Sequence, residues 1–309
     1  KKGRYGGVLR APMKFVGQRT FDAYGVDTTP SGGNPNAEWD AVTGVFKENP
    51  DNDTSYNTSG VVNYLNKFGR LLPDRPGNYK VYDPSSELYY EALRYLQGLP
   101  PSSYAVKDLT SAMYDGFPIY KDWTELDPFA GRPKEADYSC VRNNIALIGD
   151  VNTHNSQSYD PNNNRLPFQD TAKNIIDSRY WTKVVQAFES KASMSYVDGS
   201  GATQTTSNPN TASYSSPAAG DTQRSAPIIG LAYWAHTHDI RGADWTAQPA
   251  KQRPGLRVKT FIFDVNEYAL EADDTKRRTN NQYYTAAKYG GFRDQPDADN
   301  RPYNLKGNP

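Results

Sequence analysis

The stretch IALIGDVNTH, residues 145–154, decides the fold. Ile145, Ala146, Leu147 and Ile148 form a continuous apolar run bounded by Asn144 and Gly149, too short for a helix and suited to a strand buried on both faces. The run ends abruptly in Asp150, with Asn152, Thr153 and His154 behind it. Open parallel sheets bind ligands beyond the carboxyl ends of their strands, so an acid here is placed to meet a cation or a partner. A second run, Phe261, Ile262 and Phe263, closes on Asp264, followed by Asn266 and Glu267. Two such strands predict an α/β fold with a parallel, doubly wound sheet and both acids on one rim.

Helices are expected between and around the strands. Thr171 to about Lys191 sets Ile176, Tyr180, Val184 and Phe188 at a spacing of four, with Trp181 and Val185 beside them. Pro227 in the first turn after Ser225 predicts a helix through His238, with Ile228, Leu231, Ala232 and Ala235 inward. A last helix is expected from Thr275 to Gly290 and Gly291. Before the first strand, Ser59 is placed to cap a short helix with a stripe of Val61, Val62, Leu65 and Phe68. Ser85 or Ser86 is placed to cap a longer one with Leu88, Ala92, Leu93 and Leu96 on one face and Gly98 as its stop. Residues 102–137 read as loop with at most a turn of helix. Residues 193–224 are almost all small and polar, too poor in apolar surface to offset ordering entropy, and read as a flexible insertion.

Composition narrows the function. Lysine plus arginine equals aspartate plus glutamate at 35 each among 309 residues, which removes a general electrostatic case for nucleic acid or an anionic membrane. No apolar stretch approaches the roughly eighteen residues of a membrane span, and KKGRYGG at the start has no apolar core of a signal peptide. Cys140 stands alone, either a small buried hydrophobe or a thiol whose partner lies outside the chain. The apolar fraction is 36% with 23 tyrosines and 22 prolines, a composition that leans towards a secreted or surface protein with solvated loops around a modest core.

Several groups are candidates for chemistry. Asp150 and Asn152 supply hard oxygens suited to calcium or magnesium, and Asp264 is the matching acid on the second strand. Asp294, Asp297 and Asp299, with Asn300, put oxygen-bearing side chains at a spacing that wraps a calcium ion, although the glycine and closing glutamate of an EF-hand are absent. His154, His236 and His238 raise the competing expectation of a metal-dependent phosphoesterase or hydrolase. On a helix, however, residues two apart point roughly 200° from one another, so His236 and His238 should not share an ion. No nucleophile elbow is present, and no catalytic residue is assigned.

The stretches GGVLRAPMKFVG, NPNAEWD, SGVVNYLNKFGR, YDPSSELYYEALRYLQG, NNIALIGDVNTH, LAYWAHTHDIR, VKTFIFDVNE and NQYYTAAKYGGF together resemble the type IV pilus tip-associated adhesin and biogenesis family, the PilY and PilC proteins of bacteria. The resemblance implies a von Willebrand factor A-like domain with large insertions and a metal-ion-dependent adhesion site at the carboxyl edge of its sheet. Asp150 would stand at the metal-facing acid of that site, flanked by Gly149 and Val151 where the fold's pattern has Thr and Gly. Residues 1–140 would be a loop-rich and helical insertion region, and 141–309 the second half of the domain, interrupted at 193–224. The fold's first strand, Asp-x-Ser-x-Ser, is not found, so further strands are expected from the same polypeptide or an adjacent subunit.

The implied function is a non-enzymatic adhesin or assembly module, extracellular at a pilus tip or cell surface. Its implied partners are pilus subunits, the rest of the polypeptide and a host or surface receptor. A purely structural filament subunit is the third expectation.

Overall fold

Within residues 7–22, 24–67, 85–149, 178–189, 194–197, 203–206, 227–243, 245–246, 248–265, 278, 281–293 and 301, which are those the structure (a computed structural model) describes, the chain forms two compact units. The first consists mainly of Val8–Val81 and Gly98–Arg132, and the second of Lys2–Gly7, Tyr82–Gln97 and Pro133–Pro309. The chain therefore crosses between units around residues 82–97, and the helix there, α2 below, belongs to the second unit although it lies inside the 1–140 region of the sequence reading.

The first unit is built of turns around short helices, as its glycine, proline and Asx content dictates. Aspartates close many of these turns: Asp22, Asp27, Asp40, Asp53 and Asp122 each accept the amide two residues on. Helix α1 is Val61–Lys67. Ser59 does not cap it; its hydroxyl donates to Asn49 and accepts from the Asp51 amide. The cap is Glu38, whose two carboxylate oxygens accept from the Val61 and Val62 amides at 2.8 and 2.7 Å while Lys14 approaches to 3.1 Å. Gly60 at φ +94° makes room, since a Cβ there would lie 2.5 Å from Pro50. Leu65, expected inward, is exposed. Residues 102–137 hold two helical turns, α3 (Ser103–Val106) and α4 (Ser111–Tyr114), where at most one is expected. Arg10 holds the end of α4 by donating to the carbonyls of Met113 and Tyr114.

The second unit carries the sheet. Helix α2 is Ser85–Leu96, stopped by Gly98 at φ +66° as expected. Strand β1, Asn144–Gly149, pairs in parallel with the later strand Lys259–Asp264, in register from Asn144 beside Lys259 to Gly149 beside Asp264. Between them come helix α5 (Ser178–Phe188), strands β2 (Met194–Val197) and β3 (Thr203–Thr206), and helix α6 (Pro227–Thr237). The late strand is thus β4, and it is followed by helix α7, Gln282–Gly291. Pairing of β2 with β3 is antiparallel and corrects the reading of 193–224 as a structureless insertion at those eight positions. There the backbone ladder satisfies its own polar groups, and a Thr-rich segment has the β-branched residues that a ladder favours.

Helix α6 is the centre of the core. It is apolar all round, which requires burial on every side, and it packs against α2, α5, α7 and β4. Two glycines set its distances: a Cβ on Gly230 would lie 1.9 Å from the Ser178 carbonyl oxygen in α5, and one on Gly290 would lie 2.9 Å from Ala232 and 2.7 Å from the Thr260 hydroxyl. In α5 the buried residues are Ser178, Thr182, Val185 and Gln186; Trp181 and Phe188 also pack, against Tyr233 of α6, whereas Tyr180 is exposed, so the packed face includes Val185, Trp181 and Phe188 of the expected set and adds the small Ser178 and Thr182. Close crossing at Gly230 demands small neighbours. Helix α2 is buried at Tyr89, Tyr90, Leu93 and Leu96, and Leu88 points outward.

The two central strands are not buried on both faces. Leu147, Gly149 and Thr260 face the helices, while Ile148, Phe261 and Phe263 are exposed.

Candidate functional site

Register brings the carboxyl ends of both strands to one rim, as the sequence reading requires: Gly149 lies beside Asp264, and the Val265 amide donates to the Gly149 carbonyl at 2.9 Å. Asp264 accepts from the Asn281 side-chain amide at 2.9 Å. Asn281 also caps α7, its other side-chain atom accepting from the Tyr284 amide at 2.9 Å. One asparagine therefore ties the strand's terminal acid to a helix N-terminus, where the helix dipole favours negative charge. The Tyr283 hydroxyl closes the inner side of the rim, 3.3 Å from where a Cβ on Gly149 would sit. A helix starting at Thr275, as the sequence predicts, places Asn281 inside it and hides its capping role. Its signal is an Asn directly before an apolar helical run.

Asp150, Asn152 and His154, and the acidic loop of Asp294, Asp297 and Asp299, lie outside the described residues. Among the described residues no three His, Cys, Asp or Glu side chains come together as a metal site. At the rim those residues supply one carboxylate, Asp264, with one oxygen engaged by Asn281. A hard ion would fit this chemistry with oxygens beyond that of Asp264.

The two described histidines do not converge. His236 ends α6 with Nε2 2.8 Å from the Phe292 carbonyl and Nδ1 3.3 Å from the Val258 carbonyl, its ring edge-on to Phe292. Both nitrogens thus face backbone oxygens, and burial holds the ring's pKa below the ordinary value. His238 turns towards α5, its Nδ1 2.9 Å from the Thr237 hydroxyl and its ring stacked on Trp234 and 4.7 Å from Trp181. Asp239, next in the same motif, accepts from the Gly255 amide and from Arg257. These residues fasten the turn that leads into β4. Cys140 is exposed, not a buried hydrophobe.

Other charged side chains in this unit also join elements. The buried Arg241 donates to the Leu96 carbonyl at the end of α2, and Gln97 returns a bond to the Ile240 carbonyl. Glu189, just past α5, accepts from Lys288 and from the Tyr289 hydroxyl of α7 at 2.7 and 2.6 Å. Among the described residues no helix is long and apolar enough to cross a membrane.

Residues 1–219 match the family described as PilY1 homolog, second domain. Over 303 residues the chain is 32% identical to a protein of Xylella fastidiosa named type IV pilus biogenesis factor PilY1 homolog, an alignment covering 93% of this chain and 22% of that relative. The chain thus spans about a fifth of the relative's length. No solved structure matches it.

Proposed function

The chain belongs to the PilY1 homolog family, and from that premise we propose that it is a non-enzymatic module of a type IV pilus biogenesis factor, acting in pilus assembly and adhesion at the cell surface or pilus tip. The match over residues 1–219, within the region described as that family's second domain, is the observation that carries the reading. Two features of the molecule support it. The parallel pair β1 and β4, backed by helices, suits part of a von Willebrand A-like sheet. His236 and His238 are engaged in packing and backbone contacts, which removes two of the three histidines that the phosphoesterase reading calls on.

Binding would centre on the rim at Asp264 and Asn281. We place a divalent cation, calcium or magnesium, there, held by Asp264 with Asp150 and Asn152, and a second calcium in the loop of Asp294, Asp297 and Asp299. Such an ion would supply an open coordination position for an acidic group on a receptor.

Deleting the 309-residue region from the full-length gene of a piliated bacterium tests the function. Surface pili should fall sharply in number, or assembled pili should lose adhesion; normal piliation with normal adhesion would sink the proposal. The ion is tested separately. Calcium or magnesium should raise the thermal midpoint of the wild-type chain, and the gain from the rim ion should vanish in Asp264→Asn combined with Asp150→Asn.

A further inference from the structure

Among the described residues, helices cover the β1–β4 sheet on one side only. On its other side the register sets Ala146 beside Phe261 and Ile148 beside Phe263, with Val265 next along. Ile148 is 62% exposed, Phe261 55%, Phe263 66% and Val265 48%. Parallel sheets occur almost only with both faces covered, since their residues are apolar on both sides. Among the described residues β1 and β4 pair only with one another, so each also presents an outer edge.

We propose that this face is an intramolecular docking surface, covered in the intact polypeptide by an apolar layer from sequence beyond these 309 residues. The inference rests on the length relation to the family member, of which this chain matches 22%, and not on a role in pili. The chemistry of the occupant follows from the face: past Asn144 and Lys259 at its amino end it consists of Ala146, Ile148, Phe261, Phe263 and Val265, so the stripe that covers this part must be apolar as well.

Area decides between a tethered segment and a second copy. Four large half-exposed side chains present on the order of a few hundred Å², well short of the roughly 800 Å² per partner that stable association between separate proteins buries. A segment of the same polypeptide loses far less translational and rotational freedom on docking, and a short tether gives it an effective concentration on the order of millimolar. A small apolar face therefore suffices for a covalently linked layer and not for a dimer.

The test compares the 309-residue chain with the natural polypeptide that contains it. In a Cys140→Ser background, Phe263→Cys places a thiol on the face, and maleimide labelling at that position is followed by peptide mass spectrometry; the exposed native Cys140 of the unaltered chain gives the reference rate. The thiol should react in the 309-residue chain at a rate near that reference and at least tenfold more slowly in the intact polypeptide. Equal fast rates in both would overturn the proposal. So would slow labelling of the isolated chain: if it strengthens with protein concentration the occupant is a second copy, and if it does not the chain covers its own face. Amide exchange of residues 144–149 and 259–265 in the two unsubstituted proteins supplies a readout free of any folding defect in the variant. Slower exchange in the intact polypeptide is expected, and identical exchange overturns the proposal.

Discussion

Both ring nitrogens of His236 face carbonyl oxygens, yet a neutral imidazole has one N–H to give. The contact to Phe292 is the shorter of the two, and burial lowers the ring's tendency to take a second proton. The folded chain thus resists a proton that the unfolded chain accepts near pH 6.5, the ordinary value for histidine. Above that pH the ring is neutral in both states and its contribution is intact; as the pH falls through the unfolded value, stability is lost. The urea midpoint should drop between about pH 7.5 and about pH 5.5, and His236→Gln, which keeps a donor for Phe292, should lessen the drop. An unchanged pH dependence in the variant would show that His236 does not carry it. Gly230 fails differently. Its added Cβ would meet a backbone carbonyl at 1.9 Å, which no rotamer change relieves, so Gly230→Ala should destabilise the protein by roughly 2–3 kcal/mol, the upper range for overpacking, read as a lower denaturant midpoint.

At the scale of elements, what the sequence showed and what it hid have separate physical causes. Strands β1 and β4 were legible because short β-rich runs end in acids, and their parallel register puts both ends on one rim. The apolar runs overstate their burial because such a run is equally compatible with one covered face and one exposed face. In α5 the apolar pattern finds Val185, Trp181 and Phe188 but misplaces Tyr180 and misses Ser178 and Thr182, since the approach of Gly230 selects small residues there and hydrophobic periodicity does not register them. Of the candidate site, Asp264 was found from its position after the apolar run, whereas Asn281 was lost to a helix start set too early. Helix α1 shows the same blindness to distance in sequence: Ser59 offered a local cap, yet Glu38, more than twenty residues away, supplies it. Glu38→Ala should cost about 1–2 kcal/mol, as removal of a helix cap does. Hydrogen exchange should quicken at Val61 and Val62, and Ser59→Ala should leave those amides unaffected; the reverse pattern would return the cap to Ser59.

At the scale of the whole molecule, the path of the chain between its two units has a consequence for dissection. Helix α2 is inserted, in sequence, between the two segments of the first unit, yet it buries Tyr89, Leu93 and Leu96 in the second, where the Tyr89 hydroxyl meets Thr260 of β4 at 2.6 Å and Arg241 holds its last carbonyl. Cutting at residue 140 would leave residues 141–309 with the sheet and α6 but without this helix. Burying three large side chains contributes on the order of 5–8 kcal/mol, comparable to the 5–15 kcal/mol by which whole domains are stable. Three buried partners would also lose their bonds, since Thr260, Arg241 and the Ile240 carbonyl all engage α2 or Gln97 just after it. Residues 141–309 expressed alone should therefore lack a cooperative thermal transition and show little near-ultraviolet circular dichroism. Adding a peptide of residues 82–98 should restore both in part, with Leu93→Asp in the peptide abolishing the rescue. A fragment 141–309 that unfolds cooperatively at the temperature of the full chain would mean that the second core closes without α2.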